Sequence, residues 1–233
     1  MNPFAAAEAE TRAAITRRVP GDPRYSWANP GHVFNTQERE RQMLRLLRRE
    51  GCFPLAGKTI LDVGCGTGGW LRDFVKWGAR PGDLFGIELL AERVAIANRL
   101  CVPGTRIACG SAATLPFPDA QLDIVLQASV FTSILDGDLK RQVAREMLRV
   151  VKPDGLILWY DFQVNNPWNP DVRGVPSREI ATLFPGCRLD LHRITLAAPV
   201  SRWLAPRSWL ASYLLAHLPP LCTHLLGTIR KGA

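Results

Sequence analysis

The chain has no long apolar run, no paired CxxC and almost no lysine, and each shortage closes off a class of protein. Without about twenty consecutive apolar residues there is no segment to span a bilayer. Cys52, Cys65, Cys101, Cys109, Cys187 and Cys222 are scattered, a pattern that argues against a structural zinc site and against a disulfide scaffold. No bound metal is expected, and reduced cytoplasmic thiols are the default reading. The start, Met1-Asn-Pro-Phe-Ala-Ala-Ala-Glu, lacks the basic end and apolar stretch of a secretory signal. Neither an internal repeat nor a low-complexity tract is present.

Only five of the 29 basic residues are lysines, so the formal charge of +8 is carried by arginine. Arginine raises the question of nucleic acid. Arg45, Arg48 and Arg49, however, share a segment with Met43, Leu44, Leu46 and Leu47, the pattern of a solvated helix face rather than a phosphate track. Nucleic acid is therefore disfavoured as a partner.

What is present fits one α/β unit: 233 residues, 47% hydrophobic and 21% charged. The most informative stretch is Ile60-Leu-Asp-Val-Gly-Cys-Gly-Thr-Gly-Gly-Trp70. Gly64, Gly66 and Gly69 have the spacing of a dinucleotide turn, and Gly64, Gly66 and Gly68 that of an S-adenosylmethionine (SAM) turn, so the glycines alone leave both cofactors open. Asp62 discriminates. A pyrophosphate beside it is repelled, whereas the ammonium and sulfonium of SAM are attracted, directly or through a water. A ligand-free glycine turn is the bland alternative. Glu88 ends the next apolar strand about twenty residues on, where an acid accepts from ribose hydroxyls; a solvated helix-start charge would look the same.

Gly110-Ser-Ala-Ala-Thr-Leu-Pro-Phe117, Leu122-Asp-Ile-Val125 and Arg149-Val-Val-Lys-Pro-Asp-Gly155 follow in order. Together these segments resemble the class I SAM-dependent methyltransferases, in particular the UbiE-like, type 11 branch, over roughly residues 58–162. The resemblance implies a Rossmann-like, doubly wound, mostly parallel seven-stranded sheet with helices on both faces. It further implies an N-terminal helical lid and an inserted helical segment before the last strand. It places SAM, and the product S-adenosylhomocysteine, against Asp62, Gly64, Cys65, Gly66, Gly68, Glu88, Leu89, Ser111, Ala112 and Gln127. Ser111 stands where the family has an adenine-contacting Asp, so adenine recognition is expected to rest on the backbone and Ala112. Glu88 is a longer version of the family's ribose-binding Asp.

Along the chain, residues 1–35 read as a flexible arm and lid, with Pro20, Gly21 and Pro23 breaking any helix and Arg24–Phe34 forming a loop. The single methyltransferase domain then occupies 36–233. Its expected elements are a helix from Thr36 to Glu50, strand 59–63, helix 70–77, strand 84–88, helix 91–100 and strand 106–109. Strand 122–127, helix 139–151, strand 156–162, helix 177–183, strand 188–195 and strand 224–230 complete it. Residues 201–221 are an insertion carrying Trp203, Leu204, Trp209, Leu210, Tyr213, Leu214 and Leu215 with Arg202 and Arg207. This insertion reads equally as a helix closing the core or as one dipping into a membrane surface or lining an apolar substrate pocket.

In-line methyl transfer needs chiefly alignment, so no fixed catalytic signature is expected. A hydroxyl acceptor would need a general base. Asp161, ending the fifth strand, is the first candidate, with a loop-capping carboxylate as its alternative. His32 in the N-terminal loop is the second. Tyr25, Trp27, Asn165, Asn166, Trp168, Asn169 and Arg173 are the candidate substrate contacts, since amides and rings suit a polyhydroxylated acceptor; Asn-Pro turn chemistry accounts equally for the Asn165–Asn169 stretch. The expected activity is methyl transfer to a small-molecule, glycan or lipid-linked acceptor, with O-methylation favoured and peripheral membrane contact through 201–221. RNA methylation is the alternative, although an NPPY-type motif is replaced by Gln127-Ala-Ser-Val130. An NAD-dependent oxidoreductase and an inactive binding protein come behind it.

Overall fold

A computed structural model of the chain describes residues 3–17, 21–166 and 169–232. Seven strands form one sheet: β1 Ile60–Val63, β2 Leu84–Glu88, β3 Arg106–Cys109, β4 Leu122–Ala128, β5 Val151–Phe162, β6 Arg188–Leu196 and β7 Cys222–Arg230. Their spatial order is β3-β2-β1-β4-β5-β7-β6. β1 to β5 pair in parallel, while β7 runs antiparallel to both β5 and β6. The chain crosses over between β1's two neighbours, β2 and β4, and such a switch point is where ligands bind at the carboxyl ends of strands.

The helices are α1 Ala5–Thr16, α2 Pro30–Arg49, α3 Gly69–Lys76, α4 Ala91–Leu100, α5 Gly137–Val150, α6 Ser177–Leu183, α7 Ala198–Leu204 and α8 Trp209–Leu215. Two apolar clusters sandwich the sheet, one including Leu61, Val125, Phe131, Trp159 and Phe184, the other Leu47, Ile60, Phe74, Leu126 and Leu158. β1 is buried at all four positions, which explains why its sequence is a continuous apolar run broken only by Asp62.

The N-terminal stretch departs from the expected loose arm. Ala5–Thr16 forms α1, with Thr11 and Ala14 buried and Phe4 and Ala7 packed on the core. Alanine is the best helix former, and docking stabilises a helix this short. The expected loop at Arg24–Phe34 also ends early. Asn29 caps α2 by accepting from Gly31 N at 3.0 Å, and Pro30 takes the first helical position, so His32 and Phe34 are helical. β5 begins at Val151 rather than Leu156: Val151 pairs with Leu122, and a register irregularity lies between that pair and Ile124–Leu156.

The insertion begins slightly before its expected boundary and consists of α7, α8 and a single 3-10 turn at Pro219–Leu221. It is anchored on α2: Phe34 meets Trp209 edge-on at 5.2 Å, and a Cβ on Gly31 would lie 2.6 Å from the Arg202 Cα. The outward side is apolar, with Trp203 62% and Leu210 69% exposed and Leu214 likewise open. Among the described residues no helix is long and apolar enough to cross a membrane.

Candidate functional site

β1 ends in a turn whose three glycines are all left-handed, with φ of 68° at Gly64, 56° at Gly66 and 77° at Gly68. Their reasons differ. A Cβ on Gly64 would meet Val130 at 2.6 Å and one on Gly68 would strike the Cys101 sulfur, whereas one on Gly66 would project into open space. The turn is held against β2: the N–H groups of Gly64 and Cys65 both donate to the Ile87 carbonyl, at 2.8 and 3.1 Å. The Gly66 N–H donates to Glu88 Oε2 at 2.9 Å, and the Leu90 N–H to Glu88 Oε1 at 3.0 Å.

Above this turn lies a cavity of about 700 Å³, a size suited to a small cofactor and part of a second ligand. Gly64, Cys65, Gly66, Glu88, Leu89, Ser111 and Ala112 line one end; Glu8, Thr11 and Ile15 of α1 also line the cavity. Ser129, Val130 and Ser133 add the edge beyond β4. Ser129 holds a φ of 60°, a conformation uncommon outside glycine. Trp27, Thr36, Arg39, Glu40, Trp70, Asp73 and Lys76 add wall from α2, α3 and the loop before α2.

Asp62 does not itself line the cavity. It is 1% exposed, and neither carboxylate oxygen has a donor among the described residues. Burial, reinforced by the charge of Glu88, pushes its carboxyl well above the usual range. A buried carboxylate without partners costs stability, and a cation arriving at the turn would relieve that cost. The chemistry of this group and the open floor at Gly66 fit SAM, whose part in the reaction would be to supply an electrophilic methyl. Asp62 and the turn would hold its methionyl end, and Glu88 its ribose.

Other expected contacts lie elsewhere. Gly68 shapes the start of α3 rather than the wall. Gln127 is fully buried, its Oε1 accepting from Val130 N at 3.3 Å, so the cavity edge is made by the residues just after it. Asp161 is fully buried and accepts from the Thr132 hydroxyl at 2.7 Å, from Thr132 N at 3.2 Å and from Phe162 N at 2.9 Å. It ties β5 to the loop after β4, away from the cavity lining. Burial raises its carboxyl to about 6, opposed by those donors.

His32 is also off the wall, packed edge-on against Tyr25 at 6.1 Å and Trp27 at 5.7 Å. Burial and then the charge of Arg39 lower its basicity. Of the expected substrate contacts among the described residues, only Trp27 lines the cavity. Tyr25 is exposed beside it. Asn165 Oδ1 accepts from Gly174 N at 2.9 Å and Asn169 Oδ1 from Asp171 N at 3.1 Å, so both side chains serve turns. The Asn166 carbonyl accepts from Asn169 N, and Arg173 is exposed with its N–H donating to the Thr132 carbonyl. Trp168 lies outside the described residues.

In their place stand groups that the sequence reading missed. The Arg39 guanidinium stacks 4.5 Å over Trp70 and 5.5 Å from the Tyr160 ring, with its Nε buried and without an acceptor among the described residues. Glu40 is engaged by Lys76 at 2.5 Å and by the Trp77 indole N–H at 2.9 Å. Asp73, one turn into α3, is less encumbered: burial raises its carboxyl, and Lys76 at 3.9 Å pulls the other way. Helical spacing from Gly69 could have found Asp73. Nothing local in the sequence announces Glu8 or Arg39.

Residues 60–155 match the family described as "Methyltransferase domain". A phthiotriol/phenolphthiotriol dimycocerosates methyltransferase of Mycobacterium ulcerans is 31% identical over 131 residues, 54% of this chain and 47% of that protein. A 2-methyl-6-phytyl-1,4-hydroquinone methyltransferase of Synechocystis is 36% identical over 124 residues, 52% of this chain and 35% of its own. A tRNA N(3)-cytidine methyltransferase of Gallus gallus is 28% identical over 137 residues, 55% of this chain and 37% of its own. The chain thus spans about half the length or less of these curated relatives. Among solved structures, a putative sarcosine dimethylglycine methyltransferase from Galdieria sulphuraria superposes with a TM-score of 0.63 at 15% identity, covering 83% of this chain and 85% of that one.

Proposed function

Because the chain carries a class I SAM-dependent methyltransferase domain of the type 11 kind, we propose that it methylates a hydroxyl on an amphiphilic, lipid-linked acceptor taken up at a membrane surface. One observation carries the choice of acceptor: Trp27, 68% exposed, belongs to the cavity wall and sits just before α2, whose Gly31 abuts α7. Trp203, Trp209, Leu210 and Leu214 on α7 and α8 are exposed as well, and in this proposal they continue the apolar surface that Trp27 begins. An acceptor's polar head would enter between Trp27, Arg39 and Trp70 while its tail stays on α7 and α8. The dimycocerosate and phytyl-hydroquinone methyltransferases among the relatives support an amphiphilic acceptor, while the choice of a hydroxyl rests on the cavity carboxylate Asp73.

Asp73 takes the place of Asp161 as candidate base. It is the cavity carboxylate whose affinity for protons is raised by burial, and a base must reach the acceptor hydroxyl. Stacked rings and Arg39 would orient the head group, and alignment of oxygen, methyl and sulfur would supply much of the rate.

Incubating the protein with tritiated-methyl SAM and fractionated cell extract tests this reading. Label in the lipid fraction supports it; label confined to RNA, the acceptor of the tRNA relative, refutes it. With a labelled acceptor in hand, Asp73→Asn should lower kcat and remove the acidic limb of its pH profile, the limb on which activity falls as the base is protonated, while the cofactor's Kd holds.

A further inference from the structure

The cofactor reading leaves one end of the cavity unaccounted for. SAM, lying across the carboxyl ends of adjacent strands, would run from Asp62 on β1 past Glu88 on β2 toward the end of β3, where its base must sit. Ser111 stands there, just after β3, without a charge of its own. A carboxylate nevertheless reaches that position. The Ser111 hydroxyl donates to Oε1 of Glu8, and the same hydroxyl oxygen accepts from Ala113 N at 3.0 Å.

Glu8 comes from α1, more than a hundred residues away in sequence, and it lines the cavity with Thr11 and Ile15. α1 is moored on both sides of this contact: Phe4 and Ala7 pack on the core before it, and after it Arg12 donates to the Leu89 carbonyl at 2.5 Å, one residue past Glu88, while Arg17 pairs with Asp171 at 2.5 Å. The helix therefore reaches across the carboxyl ends of β2 and β3.

Resting on the SAM reading above, we propose that Glu8 is the adenine-recognising carboxylate of this site, supplied by α1 in place of the acid absent from position 111. An ionised carboxylate offers about four acceptor sites on its two oxygens, and the exocyclic amine of adenine is a donor of the matching kind. The Ser111 hydroxyl then acts as a positioning group that fixes the Glu8 rotamer. Base recognition and closure of the cavity by α1 become one event, since the group that reads the base is part of the roof.

The test is isothermal titration of the full chain with S-adenosylhomocysteine and with its deaminated analogue, S-inosylhomocysteine, which offers an oxygen where adenine offers an amine. Wild type should prefer the adenosyl compound by about tenfold or more, the range expected of a hydrogen bond to a charged group. Glu8→Ala should weaken the adenosyl compound by that factor, leave the inosyl compound unchanged or improved, and keep the thermal midpoint of the free protein. Adding Ser111→Asp to Glu8→Ala should restore the preference. Equal weakening of both compounds, which a merely structural role of α1 predicts, overturns the proposal, as does unchanged adenosyl affinity. Failure of wild type to bind either compound would overturn the SAM reading itself.

Discussion

Asp62 and Glu88 belong to adjacent parallel strands, yet only Glu88 has its carboxylate oxygens engaged. Glu88 accepts from the Gly66 and Leu90 N–H groups, whereas both oxygens of Asp62 are buried without a donor among the described residues. The two carboxylates thus differ in kind: Glu88 holds the glycine turn through two backbone N–H groups, while the Asp62 charge is uncompensated by any donor among the described residues.

Asp62→Asn follows from that difference. Unfolded, the carboxyl ionises near 3.8; folded, its value is raised, so above the unfolded value burial of the group lowers stability as pH rises toward the folded value. The asparagine variant should be at least as heat-stable as wild type at neutral pH in the free state. Its affinity for SAM should fall roughly 10- to 100-fold, the scale of one charge-assisted bond. Because burial raises this carboxyl, proton release on cofactor binding should grow as pH is lowered toward the folded value, read by calorimetric titration in buffers of different ionisation enthalpy.

Asp161→Asn should behave differently. The carboxylate accepts from the Thr132 hydroxyl and from the backbone N–H groups of Thr132, Phe162 and Phe131, and an amide oxygen with an adjacent NH2 leaves at least one poorly served. A loss of about 1–3 kcal/mol in urea unfolding is expected, with the cofactor's Kd within about twofold of wild type. Because its folded value of about 6 exceeds the unfolded one, Asp161 contributes a fall in stability as pH rises from about 4 to 6. A collapse of kcat at unchanged stability would restore Asp161 to the chemistry.

His224 contributes the opposite slope. It is buried, stacked on Tyr160 at 4.8 Å and against Phe162 at 3.8 Å, and burial with the Arg39 charge lowers it to about 3. Below its unfolded value of 6.5 the unfolded chain takes up the proton first, so stability is lost as pH falls from that value. His224→Phe, which keeps the ring stack, should flatten the decline of urea midpoints between pH 7 and 4.

Membrane contact is tested by changing Trp203, Leu210 and Leu214 to Ser together. All three are exposed, so folding and cofactor binding should persist. Co-sedimentation with vesicles containing anionic phospholipid should weaken by tenfold or more, since each side chain contributes on the order of 1 kcal/mol of burial at an interface. Equal sedimentation of variant and wild type would remove the membrane from the account.

The strand positions, the glycine turn, Asp62 and Glu88 were legible because each is a local pattern: an apolar run, a left-handed turn, an acid ending a strand. Gln127 misled for the same reason. Strand alternation turned it into the core, and the cavity edge passed to Ser129, whose left-handed backbone no residue type announces. Asn165 and Asn169 look the same in sequence whether they bind a sugar or their own backbone; the turn took them. Glu8 and Arg39 reach the cavity only because α1 and α2 dock over the sheet, and docking is a tertiary fact with no local signature.

At Gly31 the backbones of α2 and α7 meet with no room for a side chain between them. α2 carries Thr36, Arg39 and Glu40 of the cavity, so the outward apolar helices and the inner acceptor wall are mechanically one part. Any exchange of acceptor specificity, by breeding or by engineering, must move residues 30–49 and 198–221 together as a cassette. On the lipid-linked reading proposed above, transplanting the helical pair alone would place a new apolar surface beside a wall still shaped for the old head group.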